Sequence, residues 1–336
     1  AGVAAGLAAP ISGVFFALEC GSRYLKKNTI TLGPEAPDGP REDIAAIVLA
    51  ATLANIFVSF RTVSRVRPES LTIIGAGYAM QSPLFELPTY LGLGLLCGLV
   101  SVWFTNLRDW FVEMYKNEDT EAKRSRRLER EEQGLARSLM NPMTMIDYMS
   151  EALSRVPLHI RPILGGVLCG ILAVFYPQTL FAGYSTLDRL ITGRYHYPLP
   201  LLCLLLPLKL ILSSFSLATG LVGGVFAPSI FFGAVVGSGY HQVLLSFISM
   251  LRTGVQDIGI DSLTQSVFSI TTICGAPAYA TVGAAATLGA LFRAPLTASM
   301  LMFEITLNHD IVLPVLASAG LAGLFAEILS HPRKQW

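Results

Sequence analysis

The 336 residues hold 52% hydrophobic and only 14% charged side chains, with a formal net charge of +1. A soluble protein carries charge on about a quarter of its residues, so water is not the main solvent of this chain. The net charge itself says nothing about nucleic acid, but no basic cluster interleaves with aromatics and the one Arg/Lys run is balanced by acids.

Segments 87–107, 210–251 and 262–292 contain no Asp, Glu, Lys or Arg. A membrane-spanning helix needs about 20 mostly apolar residues, and these runs lack the polar face of a soluble helix. Cys20, Cys97, Cys169, Cys203 and Cys274 lie in or beside such runs without CxxC pairing. They read as small buried hydrophobes, not as a disulfide frame or metal site.

In chain order, residues 1–19 read as one apolar helix ending at Glu19. No basic region precedes it, so it is not a signal peptide. The chain is expected to open inside a hydrophobic element, with membrane segments upstream. A Gly/Pro-rich loop follows at 21–43, then a span at 44–60 stopped by Arg61, and an interfacial piece within 68–86. The span 87–107 places Trp103 and Trp110 at one end, where interfacial aromatics belong. Residues 116–137 are hydrophilic and read as a solvated helical loop, and the cluster Lys123, Arg124, Arg126, Arg127 and Arg130 marks the cytoplasmic or equivalent face.

From Arg161 the chain returns to the membrane at 162–176, 199–219, 225–251, 266–291, 294–306 and 311–330. Many of these segments are short or broken by Gly and Pro. Irregular backbone at membrane depth survives only where protein or a polar cavity satisfies it, and interrupted helices of this kind build transporter sites.

A short pattern occurs twice. Ala9-Pro10-Ile11-Ser12-Gly13 leads to Glu19, and Ala294-Pro295-Leu296-Thr297-Ala298 leads to Glu304, each Glu nine residues after its Pro. In each copy Pro starts a short apolar helix, where its missing N–H would be unpaired anyway, and the matched spacing points to internal duplication. Intramembrane carboxylates are functional candidates; the simpler reading, favoured by the repeat, is that each hydrogen-bonds backbone amides at a neighbouring helix end.

The stretch 218–237 reads ATGLVGGVFAPSIFFGAVVG. Gly220, Gly223 and Gly224 allow a turn and close approach, and Val225 to Val236 reads as a helix with Pro228 in its first turn. A helix start offers unpaired N–H groups and partial positive charge, a ready anion site. Such a site binds weakly enough to release, as conduction requires.

GGVFAP followed by SIFFGAVVG resembles the G-x-F-x-P signature of the chloride channel/proton–chloride antiporter (CLC) family. APISGVFFALE at 9–19, AGYSTLDRLI at 182–191 and FRAPLTASMLMFEIT at 292–306 agree in order. The resemblance implies an all-α, multi-pass membrane protein with inverted repeats and tilted, re-entrant helices. It divides the chain into the end of a first half (about 1–115), a polar loop (about 116–160) and a second half (about 161–336). It also implies a homodimer with a pore in each subunit, chloride or another small anion as cargo, contact with membrane lipid, and no cofactor. By position, Gly223, Gly224, Val225, Phe226 and Pro228 form the anion-binding segment, the amides of Val225 and Phe226 touching the ion. Glu19 and Glu304 match family carboxylates at helix ends. The family's serine and gating-glutamate segments are expected before Ala1, and its pore tyrosine after Trp336.

Proton-coupled members carry a second acid after the first at the end of APISGVFFALE, whereas here Cys20 follows Glu19. A thiol with a reference pKa of about 8.5 is a poor relay at neutral pH. Voltage-gated, channel-type conduction is therefore the first expectation and proton-coupled antiport the alternative. An enzyme would need a catalytic constellation, and neither GxSxG nor HExxH occurs. The five histidines (159, 196, 241, 309, 331) lack metal-ligand spacing and read as loop or interface residues. A cation transporter would want acids within the apolar runs. Lys209, flanked deeply by leucines, is expected to snorkel or to pair near the pathway.

Overall fold

Proline placement sets most of the helix boundaries. The computed structural model describes residues 2–7, 9–29, 47–54, 56, 83–115, 160–180, 183–221, 223–256 and 274–330. Among them every regular element is helical. The order is α1 (Gly2–Leu7), α2 (Pro10–Thr29), a helical stretch at 47–54, α3 (Pro83–Tyr115) and α4 (Arg161–Phe175). A 3-10 turn (Pro177–Thr179), α5 (Tyr184–Thr192), α6 (Leu199–Ala218), α7 (Phe226–Gln256), α8 (Ala276–Phe292), α9 (Pro295–Thr306) and α10 (Val312–Ser330) complete it. Among the described residues, Glu86–Met114, Leu199–Ala218, Phe226–Leu251 and Val312–Ser330 are long and apolar enough to cross a membrane. Pro10–Cys20, Arg161–Phe175 and Ala276–Phe292 are apolar but shorter.

Several boundaries differ from the sequence expectation. The run 1–19, one helix by hydropathy, is two helices: α2 starts at Pro10, where the repeated motif places a helix start and in the position proline prefers. α2 then continues to Thr29, where a loop was expected; no proline lies between Cys20 and Thr29 to stop it. α3 runs to Tyr115, so Trp103 sits within the helix, 62% exposed on its flank, and not at its end. α7 begins at Phe226, one residue later than expected, and extends to Gln256. The rest of the loop and span expected at 21–60, the interfacial piece before Pro83, the hydrophilic stretch 116–137 and the start expected at 266 lie outside the described residues.

Two compact units divide the chain. One comprises Ala1–Val102, Phe181–Pro207 and Phe226–Trp336, the other Trp103–Leu180 and Leu208–Val225. In the first unit α8 is the core helix, buried from Ala278 through Ala290. It is rich in Ala and Gly, which let helix backbones approach closely in a membrane, where no hydrophobic effect drives helices together. A Cβ added to Gly233 or Gly237 of α7 would overlap α8 backbone, at Gly283 and Tyr279 respectively. α3 meets α10 in the same manner, with Gly94 against the Ser318 carbonyl and Gly98 against the Ala322 carbonyl. Polar side chains in this core bond to helix carbonyls: Thr287 Oγ1 to Gly283 O (2.7 Å) and Ser101 Oγ to Thr287 O (3.3 Å).

In the second unit Gly165 of α4 packs on Thr219 and Leu221, and Phe111 meets Phe215 edge-on at 5.5 Å. α4 leaves Ile163, Val167, Ile171 and Val174 exposed, the last by 81%. α10 in the first unit likewise exposes Leu313, Leu324 and Ile328. Flanks this apolar suit a hydrocarbon solvent.

Candidate functional site

The segment leading into α7 is built by a helix stop, a glycine turn and a helix start. α6 ends at Ala218, and Thr219 N, Gly220 N and Leu221 N donate back to the carbonyls of Phe215, Leu217 and Ser216. Gly220 has φ 84°, the left-handed conformation that glycine adopts at helix C-termini. Gly223 and Gly224 are exposed and do not use that freedom. A Cβ built on either meets nothing within 4 Å, so their lack of a side chain leaves open space beside the backbone.

α7 then starts at Phe226 with Pro228 in its first turn, and Ser229 Oγ donates to Phe226 O (2.6 Å). The first N–H groups of a helix have no intrahelical acceptor and carry partial positive charge. The first turn of α7 contains no acid to neutralise it. Chemically, a helix start of this kind suits a small anion held by backbone dipoles.

Aromatic rings wall the start of α7. Phe226 meets Phe16 at 6.1 Å and Phe292 at 5.6 Å, and Phe16 meets Phe292 edge-on at 5.6 Å. Sequence reasoning missed Phe16 and Phe292 as partners of Phe226, because the contacts join three helices far apart in the chain and no local pattern marks them.

The repeated pattern forms a reciprocal clamp. Glu19 accepts from Leu296 N (3.1 Å), Thr297 N (2.8 Å) and Thr297 Oγ1 (2.5 Å). Glu304 accepts from Ile11 N and Ser12 N, both at 2.8 Å. Each carboxylate thus satisfies free amides at the start of the other's helix, where negative charge is favoured. The pairing requires α2 and α9 to lie antiparallel, as an inverted repeat demands. Cys20, half-buried and not in a disulfide, follows Glu19 in α2.

Other residues singled out in the sequence fall elsewhere. Lys209 is 4% exposed and donates through Nζ to Thr179 O (2.6 Å). It does not snorkel, because the carbonyl end of the 3-10 turn lies within its reach. His241 is not a loop residue: it lies within α7, buried against the Tyr279 ring at 5.2 Å. Cys203 is exposed and not a buried hydrophobe, since the flank of α6 that carries it has no protein cover.

Glu86, at 1% exposure, was passed over because it precedes the acid-free run. Its Oε1 accepts from Cys274 N (3.1 Å), and Thr89 beside it bonds the Tyr279 hydroxyl (2.8 Å). Among the described residues no group of three His, Cys, Asp or Glu could hold a metal ion.

A family profile described as "Voltage gated chloride channel" matches residues 1–129 and 135–327. The chain is similar to "Chloride channel protein CLC-f" of Arabidopsis thaliana, 28% identical over 96% of this chain and 34% of the relative. It is also similar to the "H(+)/Cl(-) exchange transporter ClcA" of Cronobacter sakazakii, 22% identical over 98% of this chain and 55% of the relative. The crystal structure of a slow cyanobacterial Cl-/H+ antiporter matches with a TM-score of 0.55 and 17% identity, covering 98% of this chain and 60% of that one. The chain therefore spans roughly a third to just over half the length of these curated relatives.

Proposed function

The chain belongs to the voltage-gated chloride channel family, and from that premise we propose that it carries chloride or another small anion across a membrane, with the ion held at the start of α7. The observation that carries this reading is the open helix start: free first-turn amides, no acid beside them, and two glycines whose missing side chains leave the approach clear. Backbone dipoles offer the anion partial charges on several donors and permit fast release. The amides of Val225 and Phe226 are the proposed ligands. The aromatic wall of Phe16, Phe226 and Phe292 excludes water on one side, which strengthens the dipole field at the ion. A homodimer with one pathway in each subunit is part of the same reading.

For the mode of transport, we propose passive, channel-type conduction. Cys20 occupies the position after Glu19 where a second carboxylate would relay protons. Proton-coupled antiport is the second reading, supported by the exchanger names of several relatives and of the cyanobacterial structure.

One experiment addresses both. Liposomes holding the protein are given a chloride gradient, and radiolabelled chloride uptake is compared with sodium uptake while internal pH is followed. Chloride uptake in excess of sodium, with protons moving only down their own gradient, is the expected result. Uphill proton movement would overturn passive conduction, and equal sodium uptake would overturn the anion reading.

A further inference from the structure

Phe16 and Glu19 lie one turn apart on α2 and so share a face. Phe16 touches both rings that border the start of α7, Phe226 and Phe292. Glu19 grips the first turn of α9 through Leu296 and Thr297. Phe292 ends α8 three residues before α9 begins. The corner between them is tight: Arg293 takes the left-handed conformation (φ 55°), and Ala294 N donates to Gly289 O (3.0 Å). One face of α2 therefore holds, in adjacent turns, the aromatic wall of the site and the helix corner that carries part of that wall. One turn before Phe16, at the start of α2, Glu304 fixes Ile11 and Ser12.

We propose that the reciprocal Glu19–Glu304 clamp is a positioning device for the anion site, setting how closely Phe16 and Phe292 confine the ion at the Phe226 amide and hence which anions pass. The duplicated pattern serves the site asymmetrically. The position equivalent to Phe16 in the second copy is Leu301, a buried aliphatic residue with no ring to contribute. Glu19 grips, with three hydrogen bonds, the helix corner that carries Phe292, whereas Glu304 makes two, to α2 one turn before Phe16. Hydrogen bonds from amides to a carboxylate are charge-assisted, so replacing the carboxylate by a neutral amide weakens each grip without removing side-chain volume.

This inference rests on the anion-site reading above. Its test is the nitrate-to-chloride permeability ratio of the reconstituted protein, a quantity independent of how many molecules fold. Glu19→Gln should raise the ratio by about twofold or more as the wall loosens, and Glu304→Gln should raise it less. Tyr279→Phe, which removes the bond to Thr89 at the other end of α8, should lower thermal stability and leave the ratio at the wild-type value. Should Glu19→Gln fail to assemble, Thr297→Val removes only the hydroxyl bond and must still raise the ratio. A wild-type ratio in Glu19→Gln or, failing its assembly, in Thr297→Val overturns the proposal, as does an equal shift in Tyr279→Phe. Wild-type protein that carries no selective anion flux would instead overturn the anion-site reading.

Discussion

The glycines leading into α7 and those within it have opposite meanings. Gly223 and Gly224 have no atom within 4 Å of where a Cβ would stand, whereas at Gly233 and Gly237 a Cβ would overlap α8. Both pairs read alike in a sequence, as small residues in an apolar run. Among the described residues the first pair leaves open space, and the second lets two helices touch. The proposed ligand site and a packing seam thus follow one another within fifteen residues, distinguished only by what faces them.

Substitutions can break or sharpen that contrast. Gly237→Val drives a side chain into the Tyr279 carbonyl; with backbone on both sides, it should destabilise the fold by more than about 4 kcal/mol. The measurement is recovery of monodisperse protein from detergent, and near-normal recovery would contradict the seam. At Gly224 an added Cβ meets nothing within 4 Å, so Gly224→Leu should keep thermal stability within about 0.5 kcal/mol of wild type. Chloride flux should nonetheless fall by about tenfold or more as the side chain fills the approach. Equal loss of stability and flux would erase the distinction.

Lys209→Met separates structure from attraction. It leaves the Thr179 carbonyl without its ammonium donor and should cost about 1–3 kcal/mol in thermal unfolding. Flux per folded molecule should not change; a drop would give Lys209 an electrostatic role in the pathway. The smallest effect is expected from Tyr279→Phe, about 1 kcal/mol for the lost bond to Thr89.

The legible parts of the fold were those that proline and charge punctuate. Pro295 begins α9 where expected, and α6 and α10 fall within a residue of the apolar segments expected at 199–219 and 311–330. The start of α7 was legible because Gly, Phe and Pro constrain that backbone locally. The start of α2 at Pro10 was legible from the repeated motif, although hydropathy alone reads 1–19 as one run; the extension of α2 to Thr29 was missed because charged residues inside a helix look like a loop from hydropathy alone. The clamp was readable in outline, since two matched motifs implied paired partners. The aromatic wall and the buried contacts of Glu86 were not, because each depends on helices far apart in sequence meeting at one point.

The central claim is that an anion sits on the amides at the start of α7. Bromide replaces chloride and scatters anomalously, so diffraction from crystals grown in bromide locates the ion directly. An anomalous peak within hydrogen-bonding reach of the Val225 and Phe226 amides, lost in Gly224→Leu, is the predicted result. Bromide peaks only elsewhere in the protein, with none at this helix start, would contradict it.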